Sequence, residues 1–399
     1  MTSFYPVVAV VAAAVWAALL FNHPRTRVPL LYGLGAVLIA SSAGVLAGPL
    51  TGVAARPAGV ALIALAALTT PLTEGTGSPR LAGRLALSIC APLAVYVLVA
   101  TAPHGQWPEF ALYLAALGLP VILIVSTGGH LAPPDLQRGL FLGLSLTVGG
   151  SLVFGLLRPD LGIEGERLRG LLENANSLGF IAFLLGATAI LVPSRWSRPC
   201  LALSAIALIW TASRASALAL VLVGLFELLR RKRYGLVGAL GAAVVLAAIL
   251  LTRLDVPGVP LEGLLRTTDS RSNSLDAALD DFRSSPLWGI GLGNESAIIA
   301  SSPFRALSNG GLLGFLCVAL QGVLIFRASL VNGRATVFAA AALVHSVFEG
   351  WLLSPSSPFL LLFAGTWLLI ARTAPEPTGT RPRASTRELR RPSTEVRAQ

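Results

Sequence analysis

Charged residues are scarce in this sequence. Only 12% of its 399 residues are charged, whereas 54% are hydrophobic, and the mean hydropathy is +0.75. Soluble domains carry roughly twice that charged fraction, so the chain has too little polar surface to cover a water-soluble globule. The scarcity of charge excludes that class and indicates a polytopic helical membrane protein.

Two further features are missing. A transmembrane β-barrel needs apolar and polar residues to alternate in strands of ~10 residues, and runs such as VVAVVAAAVWAALLF do not alternate. Cysteine is rare, and Cys90, Cys200 and Cys317 lie in or beside apolar runs without metal-ligand spacing or a paired framework. We therefore reject the barrel and interpret the cysteines as small packing residues.

Lysine is also nearly absent. Lys232 is the only lysine in the sequence, so the net charge of +11 comes from arginine. Such basicity can indicate a nucleic-acid partner. Here, however, the basic residues lie in short loops and a tail, as membrane orientation and contact with anionic lipid require. We expect membrane lipids as partners and no nucleic acid.

What the sequence does contain is a series of apolar runs. With ~20 residues needed to cross the hydrocarbon, it predicts an all-α transmembrane bundle of about 12–13 spans within residues 1–372. A basic tail, 373–399, rich in Pro, Ser, Thr and Arg, is predicted to be disordered and cytoplasmic. The predicted spans are 4–21, 28–48, 57–72, 84–102, 109–126, 139–157, 177–193, 199–213, 215–229, 235–252, 311–329, 335–352 and 356–372. We interpret 4–21 as a retained span rather than a signal peptide.

Arginines set the predicted orientation. They fall at alternate connections, which the positive-inside rule assigns to the cytoplasm together with the C-terminus. We interpret the connections around Pro49, His104 and Ser354 as free of basic residues and assign them to the outside. Three outward connections break the rule: 158–176, Ser213-Arg214, and the long loop 253–310 between the tenth and eleventh spans. Because arginine does not favour that side, we interpret the three as parts of one outward-facing anion site.

The first exception ends in Glu173-Asn174-Ala175-Asn176 before a span. Either asparagine would cap that helix and present free N–H groups at the outer interface, with Arg167 and Arg169 shortly before it in the chain. In the second, Arg214 has almost no loop to hold it in water, so it must snorkel or find a partner. A solvated loop with an ordinary cap, and a snorkelling interfacial arginine, are the structural alternatives.

The long loop contains a short amphipathic helix, SNSLDAALDDFR, with residues 272–274 available as its cap and Arg271 just before it. The glycine-rich turn PLWGIGLG follows, and its glycines allow the backbone to approach a ligand or the membrane surface closely. A flexible interfacial connector is the alternative. Asp280 and Asp281 are neighbours on a helix and so diverge, and we predict no metal site.

One ionisable pair lies inside a predicted span. His345 and Glu349 are four residues apart, so a continuous helix would place them on one face. Ionisable groups in an apolar segment are costly and indicate a polar cavity, although a His–Glu hydrogen bond joining two helices is a fair structural alternative.

Taken in order, these motifs resemble the O-antigen ligase and O-antigen polymerase superfamily of bacterial envelope glycosyltransferases. The resemblance covers about residues 160–370 and departs from the family in having no histidine within 296–310. The matching pieces are Asn174-Ala-Asn176, Ser213-Arg214, Arg271, Pro286-Leu-Trp-Gly289-Ile-Gly291-Leu-Gly293 and Gly311-Leu-Leu-Gly314.

The resemblance implies transfer of a glycan from a polyprenyl diphosphate carrier to an acceptor hydroxyl, on the outer face of the cytoplasmic membrane, without a cofactor, nucleotide sugar or obligatory metal. The partners implied are the lipid-linked glycan donor and a glycan or glycolipid acceptor. Arg169, Arg214 and Arg271, with Arg305, would bind the diphosphate. Glu349, oriented by His345, would be the base, with Glu295 second.

The sequence leaves the choice between ligase and polymerase open. A flippase or transporter of lipid-linked saccharide is the rival class. A flippase should distribute its charge along the bundle axis, whereas here the charges beyond those that set orientation concentrate on one side.

Overall fold

The computed structural model describes residues 24–44, 49–70, 78–233 and 270–373. The predicted spans 4–21 and 235–252, the loop residues 253–269 and the tail from residue 374 lie outside the described residues. The other predicted spans each overlap a helix, so the all-α class is confirmed for the described part of the chain. The number of spans stays a prediction.

Most of the helices are apolar, and several begin at local sequence signals. Proline stands in the first turn at Pro79, Pro133 and Pro358, where its missing N–H costs nothing. Asn174 and Asn332 cap two other helices through their side chains. The helices are α1 (Pro24–Ser41), α2 (Pro49–Leu68), α3 (Pro79–Thr101), α4 (Trp107–Ala116), α5 (Gly118–His130), α6 (Pro133–Leu157), α7 (Ala175–Leu191), α8 (Ser197–Thr211), α9 (Arg214–Arg230), α10 (Ser270–Ser284), α11 (Ser302–Ser329), α12 (Gly333–Phe348) and α13 (Pro358–Arg372).

Short elements connect some of them. Single 3-10 turns occupy Ala102–His104 and Gly350–Leu353, one helical turn occupies Pro159–Gly162, and a small antiparallel hairpin pairs β1 (Ile163–Glu164) with β2 (Arg167–Leu168). Among the described residues, four stretches are long and apolar enough to cross a membrane by length and composition. These are Pro79–His104, Trp107–His130, Pro133–Leu157 and Ser302–Ser329.

Helix α7 lies at the centre of the bundle, packed against α6, α8, α9 and α13. Almost all its residues are buried, as expected of a helix that is apolar on every side. Small residues allow the other helices to approach closely. A Cβ built on Gly143 of α6 would lie 2.7 Å from the main-chain oxygen of Gly33 in α1, the kind of close contact by which helices pack in membranes.

The helix ends form two groups. At one end, which we call the site end, the connection at 172–173 bonds the one at Ala43, and Leu292 bonds Ala100. At the opposite end, Arg372 bonds the carbonyl of Thr127, and Asn332 bonds that of Ala371. The three connections that break the positive-inside rule, 158–176, Ser213-Arg214 and 253–310, all have described residues at the site end.

Several predicted boundaries are wrong. The predicted span 335–352 ends as a helix at Phe348, and 109–126 is two helices, α4 and α5. Helix α11 begins at Ser302, so the last residues of the predicted loop 253–310 are helical. Residues 272–274 lie inside α10 and therefore cannot cap it; Arg271 is likewise in the helix, with its side chain outside the description.

Candidate active site

At the site end, the amide of Asn176 joins an arginine to a carboxylate. Arg167 Nη2 donates to Asn176 Oδ1 at 2.6 Å, and Asn176 Nδ2 donates to Glu349 Oε1 at 2.8 Å. We call this arrangement the Asn176 bridge. It links the hairpin, the start of α7 and the residue after α12, and its two members Asn176 and Glu349 are 173 residues apart in sequence.

The hairpin explains how Arg167 reaches this position. Gly165 and Glu166 both have positive φ, 49° and 68°, as a two-residue type I′ turn requires. Glu164 and Arg167 are directly paired across it. The turn thus projects Arg167 from β2 towards α7, where Asn174 accepts a hydrogen bond from the N–H of Ser177 and caps the helix. The prediction of an asparagine cap is confirmed for Asn174, which leaves Asn176 for the bridge.

Arg167 also binds the turn between α8 and α9. Its Nε donates to the carbonyl of Thr211 at 2.8 Å, an acceptor at the C-terminal end of α8 where the helix dipole favours a cation. Ala212, next in the chain, has φ of 48°, a left-handed conformation uncommon outside glycine. The tight turn brings Ser213 and Arg214 to the start of α9.

His345 is buried behind this turn, with 1% of its surface exposed. The indole Nε1 of Trp351 donates to Nδ1 of His345 at 3.2 Å, and Nε2 of His345 lies 3.0 Å from Ser216 Oγ. Because the indole N–H can only donate, Nδ1 accepts and the ring proton is on Nε2, facing Ser216. Phe180 packs against the ring at 4.6 Å between centroids. These contacts fix Ser216, which also accepts from Ser213 at 2.9 Å.

Gly179 permits this proximity of α7 and α9. A Cβ built on Gly179 would lie 2.5 Å from the Cβ of Ser213 and 3.1 Å from the hydroxyl of Ser216. Real side chains do not approach so closely, so a larger residue here would displace both serines. The absent side chain therefore helps to position the start of α9 beside the Asn176 bridge.

Glu349 is not part of a helix. Helix α12 ends at Phe348, and Glu349 is extended, with φ of −140° and ψ of 139°. The prediction that Glu349 shares a helix face with His345 is therefore wrong. Its carboxylate is oriented by Asn176, and its main-chain carbonyl accepts from Ser302 Oγ at 2.7 Å at the start of α11.

A pocket of about 350 Å³ opens beside the bridge. It is lined by Glu164, Gly165, Arg167, Asn174, Ala175 and Asn176. The N-termini of α7, α9 and α11 lie at this end of the bundle, and each contributes the positive end of a helix dipole. The surroundings of the pocket can therefore bind an anion.

The predicted diphosphate ligands differ in their surroundings. Arg169 donates from Nε to the carbonyl of Leu161 at 2.8 Å, beside the hairpin. Arg214 is exposed at the first position of α9 rather than buried. The side chain of Arg271 lies outside the description. The structure thus brings Arg169 and Arg214 to the same end as Glu349.

Arg305 and Glu295 lie in a second polar cluster, formed with Asn309 and Asp281, which we call the Arg305 cluster. Arg305 Nε donates to Glu295 Oε1 at 2.8 Å, and Asn309 Nδ2 donates to the same oxygen at 3.1 Å. Burial alone would raise the pKa of Glu295, but the bonds from Arg305 and Asn309 help to hold that pKa below its usual value. The two predicted site residues neutralise each other.

Asp281 belongs to the same cluster, whereas Asp280 does not. Asp281 is buried and accepts from Ser308 at 2.7 Å, which ties α10 to α11. Asp280 is exposed and pairs with Arg283 at 2.7 Å. The two neighbouring carboxylates diverge, as the sequence predicted.

The glycine-rich turn approaches the backbone of helix α11. Helix α11 is broken at Gly311, with φ of 58° and ψ of −151°. The carbonyls of Ser308 and Asn309 accept from the N–H groups of Ile290 and Gly291, while Leu312 donates to the carbonyl of Pro286. The turn thus satisfies the main-chain groups freed by the break. Positive φ at Gly289, Gly291 and Gly293 makes the path available.

Sequence reasoning did not identify the role of two arginines. Arg167 was noted with Arg169 before the asparagine cap, but the diphosphate was assigned to Arg169; the Gly-Glu turn before Arg167 was the available signal of a hairpin. Arg56 lies inside α2, near a connection that we took to carry no arginine. It bonds Ser42 at 3.1 Å and Ser356 at 3.2 Å. An isolated arginine in an apolar run was the available signal.

Together, the apolar helices and a polar site at one end define the class: a polytopic helical membrane protein. Residues 199–319 match the family model described as O-antigen ligase, so the predicted resemblance to the O-antigen ligase and polymerase superfamily is confirmed. The match covers Ser213, Arg214, Arg271, Glu295 and Arg305, while Asn176 and Glu349 lie outside it. No match was found among curated proteins.

The family match supports an enzyme of the glycosyltransferase type that acts in polysaccharide assembly in the bacterial inner membrane. The family implies a lipid-linked glycan donor and a glycan acceptor.

Proposed function

We propose that this chain transfers a glycan from a polyprenyl diphosphate carrier to an acceptor hydroxyl at the site end of the bundle. The observation that carries the proposal is the Asn176 bridge, which sets a cationic and an anionic side chain at fixed positions beside a pocket. We assign the site end to the outer face of the membrane, and the C-terminus to the cytoplasm, from the distribution of arginines.

The cationic side of the site would bind the diphosphate. Arg167, Arg169 and Arg214 lie at this end, together with the N-termini of three helices, and Arg271 is assigned with them from the sequence. Guanidinium groups suit phosphate oxygens geometrically, and charge fixed where a diphosphate leaves stabilises the transition state. The proposed reaction takes its positive charge from arginines and uses neither a nucleotide sugar nor a metal ion.

The anionic side would activate the acceptor. In the proposed step, the acceptor oxygen attacks the anomeric carbon, the bond from that carbon to the diphosphate oxygen breaks, and the acceptor proton passes to Glu349. Asn176 orients the carboxylate by its hydrogen bond. His345 is a positioning residue, because it holds Ser216 next to the start of α9. Glu295 is bound to Arg305, so we assign it to the loop and not to the base.

The test uses purified protein in lipid nanodiscs with a polyprenyl-diphosphate glycan, and follows release of free polyprenyl diphosphate. We expect Glu349→Gln to lower turnover about 10²–10⁴-fold, and Arg167→Ala about 10²–10³-fold. Glu109→Gln and Arg283→Ala change exposed residues of the same types and serve as controls.

Two outcomes would contradict the proposal. Turnover of Glu349→Gln at the wild-type rate would remove it as the base. Passage of lipid-linked saccharide across sealed vesicles without bond cleavage would favour the rival flippase. The acceptor that supports turnover, a glycolipid core or a second lipid-linked glycan, decides between ligase and polymerase.

A further inference from the structure

Arg56 is an arginine inside an apolar helix, and its guanidinium is held in a fixed orientation. Its Nε donates to Ser42 Oγ at 3.1 Å and its Nη1 donates to Ser356 Oγ at 3.2 Å. The second bond joins residues 300 positions apart. Ser42 belongs to the end of α1 and Ser356 to the segment before α13. The side chain is thus fixed by two different parts of the chain.

Its charge is not compensated by a bonded carboxylate. In the part of the chain that the structure describes, no carboxylate lies within the 4.0 Å ion-pair distance of Arg56, and Glu173 acts on it only through longer-range attraction. Arg158, Arg283 and Arg305 each have such a partner. A cation placed in an apolar helix is costly, so one that is held by neutral hydroxyls alone favours an anionic ligand.

The position of Arg56 connects it to the candidate site. Residues 43 and 44, beside Ser42, pair with 172 and 173: Glu173 N donates to the carbonyl of Ala43 at 2.6 Å. The next residue is Asn174, which lines the pocket. On its other side, Ser356 follows the 3-10 turn Gly350–Leu353 that begins after Glu349. Both segments that hold Arg56 therefore continue into the site.

We propose that Arg56, oriented by Ser42 and Ser356, binds a phosphate-ester anion at the site end, namely the diphosphate of the lipid-linked donor. This inference rests on the proposed function and adds a cation from α2 to those of the hairpin and α9. The guanidinium is pre-oriented by the two serines, so less conformational entropy is lost on binding. An anionic phospholipid headgroup presents the same chemistry and is separated from the donor in the test.

The experiment measures binding of polyprenyl diphosphate without sugar to the full chain in phosphatidylcholine nanodiscs. We expect Arg56→Gln to weaken binding about ten-fold, the equivalent of about 1.4 kcal/mol, and to raise KM more than it lowers kcat. Arg56→Lys keeps the charge and should recover part of the affinity. Arg283→Gln is the matched control and should bind as the wild type does.

The outcomes separate this inference from the proposed function. Normal probe binding by Arg56→Gln, together with lost binding in Arg167→Ala, would overturn the role of Arg56 and leave the function standing. Failure of the wild type to bind the probe would contradict the function itself. An effect of Arg56→Gln confined to discs with phosphatidylglycerol would overturn the donor assignment in favour of a phospholipid headgroup. If Arg56→Gln unfolds, the comparison of Arg56→Lys with the wild type decides, since loss of the bonded geometry alone should weaken binding several-fold.

Discussion

The Asn176 bridge and the Arg305 cluster contain the same kinds of side chain and arrange them differently. In the bridge, an amide stands between Arg167 and Glu349 and bonds both. In the cluster, Arg305 and Glu295 meet directly at 2.8 Å, and Asn309 adds a bond to the same carboxylate oxygen. A direct ion pair suits a structural role, because the two charges neutralise each other within the protein. An amide that holds each group in place suits a site that binds a charged ligand.

The largest expected contrast is between the two asparagines. Asn176→Ala removes both bonds of the bridge, so Arg167 and Glu349 lose their orientation, and we expect turnover to fall about 100-fold. Asn309→Ala instead removes a buried bond of the Arg305 cluster, and should cost about 1–3 kcal/mol of stability with turnover within a few-fold of the wild type. Turnover and the midpoint of thermal unfolding are measured for both variants.

The two asparagine variants control for each other. If Asn309→Ala also lost turnover at an unchanged midpoint, the Arg305 cluster would be part of the chemistry and the distinction between the two regions would be wrong. If Asn176→Ala merely unfolded the protein, the role of the Asn176 bridge would be structural.

The next largest effect concerns the glycine-rich turn, which packs against the backbone of α11 beside the Arg305 cluster. A Cβ on Gly289, where φ is 68°, would lie 2.4 Å from main-chain atoms of Asn309 and Ser308. We expect Gly289→Ala to lower stability by about 2–5 kcal/mol, from left-handed strain and overlap together. Gly293 also has positive φ, 75°, but no atom lies within 4 Å of its built Cβ.

Gly293→Ala is therefore the matched control, and only the strain of about 1–2 kcal/mol should appear. Denaturant unfolding in detergent measures both variants. Equal losses would mean that the close approach between the turn and α11 contributes nothing to stability.

The class of fold was predictable from the sequence, because apolar runs of spanning length allow few alternatives. The orientation in the membrane, inferred from arginines at alternate connections, stays a prediction. Helix boundaries were less predictable. The run containing His345 and Glu349 is apolar throughout, so periodicity gave no sign that α12 ends at Phe348. Just beyond that end, Glu349 is bonded by Asn176 and Ser302, and contacts between such distant segments are not encoded in any local pattern.

The candidate site was predictable only in part. Asn174 was identified by its place before a span, because capping is a local property. Asn176 was named with it, but its bonds to Arg167 and Glu349 depend on packing between distant segments. Glu295 and Arg305 were assigned to the site because both are charged residues of one loop. Their pairing follows from the fold of the turn, which no local sequence pattern predicts.

A smaller effect should appear as a dependence of stability on pH. Burial raises the pKa of Glu295, but the bond and charge of Arg305, a main-chain hydrogen bond and the bond from Asn309 together hold that pKa below its usual value of about 4.3. A carboxyl with a lowered folded-state pKa stabilises the fold above the unfolded value, and this contribution is lost as the pH falls through the folded value. We expect Glu295→Gln to reduce the loss of thermal stability below about pH 5 by about 1 kcal/mol, a modest figure because Arg305 is partly exposed.

Turnover of Glu295→Gln at neutral pH is the companion measurement. It should stay within a few-fold of the wild type, since Glu295 is not the proposed base. A loss comparable to that of Glu349→Gln would assign the base to the Arg305 cluster.

The smallest effect is expected at Arg283, whose side chain is 73% exposed in its pair with Asp280. Surface pairs of this kind contribute about 0–1 kcal/mol, so Arg283→Ala should leave unfolding and turnover nearly unchanged. Arg305→Ala, by contrast, leaves the largely buried carboxylate of Glu295 without its arginine and should cost about 1–3 kcal/mol. If Arg283→Ala lowered turnover as much as Arg167→Ala, the total positive charge of the long loop would be what attracts the anionic donor. Whether an arginine is paired with a carboxylate would then say nothing about its role.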